Sequence, residues 1–214
     1  WEEVRPDRIV VETSGVALPF DTLINFWREP VSEWVSDSLA VVVVNAEQVG
    51  ERRDLEGTFE QQVSSADFVI LNKVDLVEST QCQSIEQELE KTAPGTPIIR
   101  TTNGSVASEV LFTPDPSSQT KRMNDVKQTH MHEAFESEEL ILEPGLAPET
   151  IIKHVQSYQA LRAKGFVQTS QGLRLVQGVG ARIDLVEYSA SPPANLLGRI
   201  VIIRRSDQSD SRHN

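Results

Sequence analysis

The chain has 214 residues, 38% of them hydrophobic, with a formal net charge of -12 and a pI of about 4.8, enough for one large domain or a medium domain plus a small one. An acidic surface repels phosphate backbones, so nucleic acid is not an expected partner. Cys82 is the single cysteine, which excludes an intrachain disulfide, and no run approaches the roughly 20 apolar residues of a membrane helix, so a cytoplasmic protein without membrane contact is expected.

The first half alternates short apolar runs with helical stretches. Residues 8–12 read as a buried strand, followed by a helix over 21–27 that Pro19 starts and Pro30 stops. Residues 38–44 form a second, β-branched strand, and 59–65 a helix. A third strand covers 68–71, a Glu- and Gln-rich helix 79–92, a fourth strand 97–100, and a short helix 105–111. Apolar strands without polar alternation are buried on both faces, as in parallel sheets, and their alternation with helices makes an α/β layer.

The character changes after residue 112. Residues 113–133 carry Pro, Ser, Gln, Thr and Asn with few large apolar side chains, the composition of a linker. A strand over 138–142 comes next. Pro148 then opens a helix to about Lys164, with Ile151, Ile152, Val155, Tyr158 and Leu161 at helical spacing and Gly165 as its C-cap. Further strands lie near 166–169, 173–177, 182–186 and 200–204, which makes 134–206 a small α+β domain, with a polar tail over 207–214.

The sharpest chemical feature is Asn72-Lys73-Val74-Asp75, directly after the third strand. Guanine presents two donors on one edge, and a carboxylate such as Asp75 can accept both in a bidentate pair. Adenine lacks that pair and would leave the carboxylate unsatisfied, which is the basis of strong discrimination. Asn72 holds the loop or reaches the carbonyl side of the base, and the stem of Lys73 can lie over the base plane. The second feature is Glu12-Thr13-Ser14-Gly15 at the end of the first strand. Ligands of open α/β sheets bind beyond the carboxyl ends of strands. An acid there can hold Mg2+ through water, and Gly15 lets the backbone approach a terminal phosphate.

Three stretches carry a family resemblance. Residues 8–19 (RIVVETSGVALP) resemble the Walker B segment of the CobW (G3E) family of metallochaperone-type GTPases. Residues 61–76 (QQVSSADFVILNKVDL) are similar to that family's segment leading into the guanine box, and 162–166 (RAKGF) with 175–179 (LVQGV) resemble its C-terminal domain. The resemblance implies a P-loop NTPase-type, mostly parallel sheet over 1–112, the linker over 113–133, and the α+β domain after it. It implies a GTPase that uses GTP, GDP and Mg2+ and delivers zinc, cobalt or another transition metal to a client metalloprotein. Asn72, Lys73 and Asp75 would hold the base, with Glu12 and Gly15 on the magnesium and terminal-phosphate side. Thr102, after the fourth strand, would supply a further guanine contact.

The chain departs from the family pattern in one large respect: it contains no Gly-x-x-x-x-Gly-Lys-Ser/Thr phosphate loop. The expectation is that about a hundred N-terminal residues, with the central strand and the family's cysteine motif, precede Trp1 in the parent protein, and that this chain alone is hydrolysis-deficient. Leu18 and Asn45 stand where the family usually has acids. In the linker, His130, His132 and Glu133 could hold a cation such as zinc, against the plainer expectation of a solvated stretch. Cys82 and His154 lie on expected helices in core or surface roles, and Arg162 and Lys164 would cap a helix dipole, the favoured expectation, or face an acidic partner. The alternatives are a guanine-nucleotide- or partner-binding module that does not hydrolyse, and a nickel-inserting relative, which the C-terminal domain argues against.

Overall fold

The computed structural model describes residues 4, 6–15, 17–26, 28–35, 37–53, 55, 58–112, 135–189, 191–192 and 194–206. The expected linker with His130 and His132, and the tail over 207–214, lie outside them. Among the described residues no helix is long and apolar enough to cross a membrane.

The first half forms α1 (Pro19–Phe26), β1 (Val41–Asn45), α2 (Ala46–Gly50), α3 (Phe59–Ser64), β2 (Phe68–Asn72), α4 (Ser79–Thr92), β3 (Ile98–Thr101) and α5 (Ser108–Leu111). The strands make a parallel sheet in the order β1-β2-β3. β2 is the centre strand, and Phe68, Val69 and Leu71 are fully buried. That burial explains the unalternating run, since both faces are covered. α4 lays Cys82, Ile85 and Leu89 on one face, with Val63 of α3 in the same core. The register sets Asn45, Asn72 and Thr101 side by side, so the carboxyl ends of the strands finish level.

The second half forms β4 (Phe135–Ile141), α6 (Pro148–Gln156), β5 (Arg162–Thr169), β6 (Gly172–Val179), β7 (Arg182–Glu187) and β8 (Arg199–Arg205). These strands make an antiparallel sheet in the order β4-β8-β5-β6-β7. Ile151 and Val155 of α6 pack into its core with Ile200 and Ile202. The molecule is therefore mixed α/β, a parallel layer followed by an antiparallel one.

Two expected elements are corrected. Residues 8–12 form no strand; they are exposed, Val10 by 77%. A strand exists only by hydrogen bonds to a neighbour, and among the described residues none pairs with this run. The helix from Pro148 ends at Gln156 rather than near Lys164. Gln159 takes a left-handed conformation (φ 49°), and the Leu161 N–H then donates to the Ile203 carbonyl at 2.8 Å, which starts β5. Tyr158 and Leu161 keep the helical spacing but belong to a turn and a strand edge. Gly165 is no C-cap; it lies inside β5 opposite Ile200. Arg162 and Lys164 lie on the same strand and cap no helix; both are paired with Asp37, at 3.6 and 3.9 Å. Burial pushes the Arg162 guanidinium below its ordinary value, opposed by Asp37 and Asp67.

A shared apolar cluster joins the two sheets: Phe68, Ile99 and Val110 from the first half with Leu161 and Ile203 from the second. Beside it, Arg182 on β7 donates to Asp67 at 2.5 Å. The other oxygen of that carboxylate accepts from the Ala40 N–H at 2.8 Å, just before β1. Asp67 is thus a three-way tie at the amino end of β2. Replacing it with alanine leaves the Ala40 N–H without that acceptor, at an expected cost of about 2 kcal/mol in urea unfolding. In a double-mutant cycle with Arg182→Ala, the coupling should be about 0.5–1 kcal/mol, small because Arg182 is half-exposed.

Candidate functional site

The carboxyl edge of the parallel sheet is built by the loops that leave β2 and β3. β2 ends at Asn72, and Lys73 turns the chain in the left-handed region (φ 60°, ψ 36°). A short 3-10 turn, Val74–Leu76, comes next, closed by the Leu76 N–H donating to the Lys73 carbonyl at 3.1 Å. Val74 packs against the core while Lys73 and Asp75 face solvent. A lysine in the left-handed region is strained by roughly 1 kcal/mol or more and persists only where its surroundings impose it. The Asp75 carboxylate makes no hydrogen bond or ion pair with the described residues, so its acceptor edges are open to a ligand.

β3 feeds a second loop. Buried Thr101 donates its hydroxyl to the Ser105 carbonyl at 2.7 Å, and the Ser105 N–H donates to the Thr102 carbonyl at 3.2 Å. Asn103 and Gly104 both take positive φ, 56° and 66°. The two loops are fastened to each other: the Gly104 N–H donates to Asn72 Oδ1 at 3.0 Å. Asn72 thus holds the loop, one of the two roles open to it from the sequence. Through that bond Asn72, Lys73 and Asp75 share one edge with Thr102. Asn72→Ala removes the acceptor. The amide of Gly104 should then exchange with solvent about tenfold faster, read by hydrogen exchange, with about 1 kcal/mol of local stability lost.

Glu12 and Gly15 are both exposed. Among the described residues no hydrogen bond or ion pair joins them to Asn72, Lys73 or Asp75. Gly15 lies in a turn, and the Ala17 N–H donates to the Ser14 carbonyl at 3.0 Å. The space a side chain would occupy on Gly15 is open, with nothing within 4 Å. Gln62 of α3 reaches this turn and donates to the carbonyls of Gly15 and Ala17 at 2.8 and 2.9 Å. At the end of β1, Asn45 accepts from the Glu47 N–H at 3.0 Å and so caps α2. Sequence reasoning missed Gly104 and Gln62. The Asn103-Gly104 dipeptide is a turn signal that could have pointed to the first; the second had no local signal.

For a transition metal, no group of three or more His, Cys, Asp or Glu among the described residues is placed to hold one. Cys82 is buried in α4, and His154 lies on α6 beside Tyr158, ring centroids 6.0 Å apart.

Residues 2–100 match the model of the CobW/HypB/UreG nucleotide-binding domain. The chain is 27% identical over 248 residues to the zinc chaperone CobW of a Sinorhizobium species, covering 98% of this chain and 70% of that protein. It is 29% identical over 215 residues to the zinc chaperone CobW of Pseudomonas aeruginosa, covering 83% of this chain and 57% of that one. With the zinc-regulated GTPase metalloprotein activator 1 of Schizosaccharomyces pombe it shares 33% identity over 112 residues, 50% of this chain and 27% of that one. Among solved structures, the Zn(II)-bound YjiA GTPase of E. coli aligns with a TM-score of 0.41 at 17% identity, over 88% of this chain and 63% of that chain.

Proposed function

Because the chain belongs to the CobW family of GTPase-type metallochaperones, we propose that it binds guanine nucleotide at the carboxyl edge of its parallel sheet, as part of a GTPase that delivers zinc or another transition metal to a client metalloprotein. The observation that carries this is the Asn72 to Gly104 hydrogen bond. It fastens the loop bearing the open Asp75 carboxylate to the loop bearing Thr102.

In this reading Asp75 accepts from the ring N–H and exocyclic amine of guanine, a charge-assisted bidentate pair. Lys73 covers the base with its stem, Asn72 holds the geometry, and Thr102 borders the carbonyl side of the base. Glu12 and Gly15 fit the magnesium and terminal-phosphate side: one is an exposed carboxylate, the other a glycine with open space beside it. Bound Mg2+ would neutralise phosphate charge, with Glu12 holding it through water. The domains are taken as 1–112, with base recognition and Glu12, and 134–206, joined by the linker. The metal is cargo; His130 and His132 are its sequence-level candidates. These 214 residues contain no phosphate-loop motif, so efficient GTP turnover by this chain alone is not expected. The second reading is a module that binds guanine nucleotide or a protein partner without hydrolysing GTP.

Titration with a fluorescent guanine nucleotide, with GTP, GDP and ATP as competitors, tests the reading. Displacement by GTP and GDP but not by ATP is the expected result. A folded chain that binds none of them, or that ATP displaces equally, overturns it. Turnover of GTP with Mg2+ by the parent protein, with the segment upstream of Trp1 restored, would decide between the two readings.

A further inference from the structure

The turn that carries Gly15 is held from a distance. Gln62 lies 47 and 45 residues away in sequence from Gly15 and Ala17. Its Nε2 carries two hydrogens, and the two carbonyls use both, so the amino group is fully spent on this one turn. The anchor is firm. Gln62 precedes Val63, which is fully buried, and its own N–H donates to the Thr58 carbonyl at 2.8 Å. The clamp therefore ties an exposed loop to α3, the helix that runs directly into β2. No other side chain of the described residues donates to the carbonyls of Gly15 or Ala17.

We propose that Gln62 is a positioning residue that sets the discrimination between guanosine tri- and diphosphate, by holding the turn that carries Gly15 three residues after Glu12. The inference rests on the reading above, in which Glu12 and Gly15 face the magnesium and the terminal phosphate. The base box is the same for both nucleotides, because both carry the same guanine. Only the triphosphate has the group that the Gly15 turn would meet. A turn held in place binds that group without first being ordered. A released turn binds with an affinity reduced by the fraction of time it spends in the competent arrangement. If that fraction falls to about a tenth, the loss is about tenfold, and it falls on the triphosphate alone.

Gln62→Glu keeps the length of the side chain but replaces the donating amide with an acceptor facing two carbonyls. Gln62→Ala removes the group outright and guards against a folding defect from the charge. In the full chain with Mg2+, displacement of a fluorescent guanine nucleotide gives affinities for GDP and for a non-hydrolysable GTP analogue. Hydrogen exchange reads the turn itself. Both variants should weaken the GTP analogue about tenfold, leave GDP within about twofold, and speed exchange at the Ala17 amide. Equal weakening of both nucleotides would mark a merely structural role and overturn the proposal, as would unchanged exchange at Ala17 or unchanged affinities. If the unsubstituted chain binds no guanine nucleotide, the functional reading fails and the proposal fails with it. If it binds both and the variants shift both together, only the proposal fails.

Discussion

Replacing Asp75 with asparagine should lower affinity for GTP and GDP by about 10²-fold or more while leaving the fold intact. In the proposed site the carboxylate would accept from two donors on guanine, each bond strengthened by its charge. Asparagine offers one oxygen and one amino group, so one guanine donor would meet another donor and lose its partner. An unsatisfied buried donor costs about 1–3 kcal/mol beyond the lost bond. The same change should raise affinity for xanthine nucleotides, which carry a carbonyl where guanine carries its amine, so that the new amide group has an acceptor. Asp75 is exposed and bonds to no described residue, so thermal stability should hardly move. Competition by GTP and xanthosine triphosphate against one fluorescent nucleotide checks both halves. A uniform loss for every nucleotide would point to a collapsed loop and against base reading by Asp75.

The largest expected effect on stability is at Gly165. Its position in β5 faces Ile200 of β8, and an added Cβ would stand against the Arg199 carbonyl oxygen and 2.6 Å from the Ile200 Cα. Those are backbone atoms of a paired strand and cannot swing aside as a side-chain end would. Gly165→Ala must therefore push β5 and β8 apart. Beneath them Ile200 and Ile202 are fully buried, so the separation also opens the core under α6. The expected cost is about 3 kcal/mol or more. For a chain of this length that corresponds to a fall of about 6–12 °C in Tm. Differential scanning calorimetry reads it directly, and a Tm within about 2 °C of the parent would show that the strands can part cheaply.

Local patterns are legible where one element answers to its own residues. The helix Ser79–Thr92 was legible end to end, because its apolar positions and its sequence limits agree. The strands β1, β2 and β3 fall within three residues of their expected bounds, since a β-branched run between turn residues has few other uses. Residues 8–12 have the same composition and are no strand, because composition supplies the side chains but not the neighbour. The region after Pro148 failed differently. Helical spacing persisted to Leu161, but Gln159 turned the chain and β8 captured Leu161. Gly165 has the identity of a helix stop and the position of a close strand contact, and only the partner strand tells these apart.

The sequence by itself determined the alternation of strand and helix, the Asn72-Lys73-Val74-Asp75 box at the end of β2 and the change of character after residue 112, because each depends on residues adjacent in the chain. The tertiary structure alone decided which loops meet. The Asn72 to Gly104 bond spans 32 residues, the Gln62 clamp 45 and 47, and the Arg182 to Asp67 pair 115. Closing contacts of that span costs chain entropy that no local signal announces. They form because buried β2 and the apolar cluster between the sheets hold the ends in place, and the polar groups then find their partners.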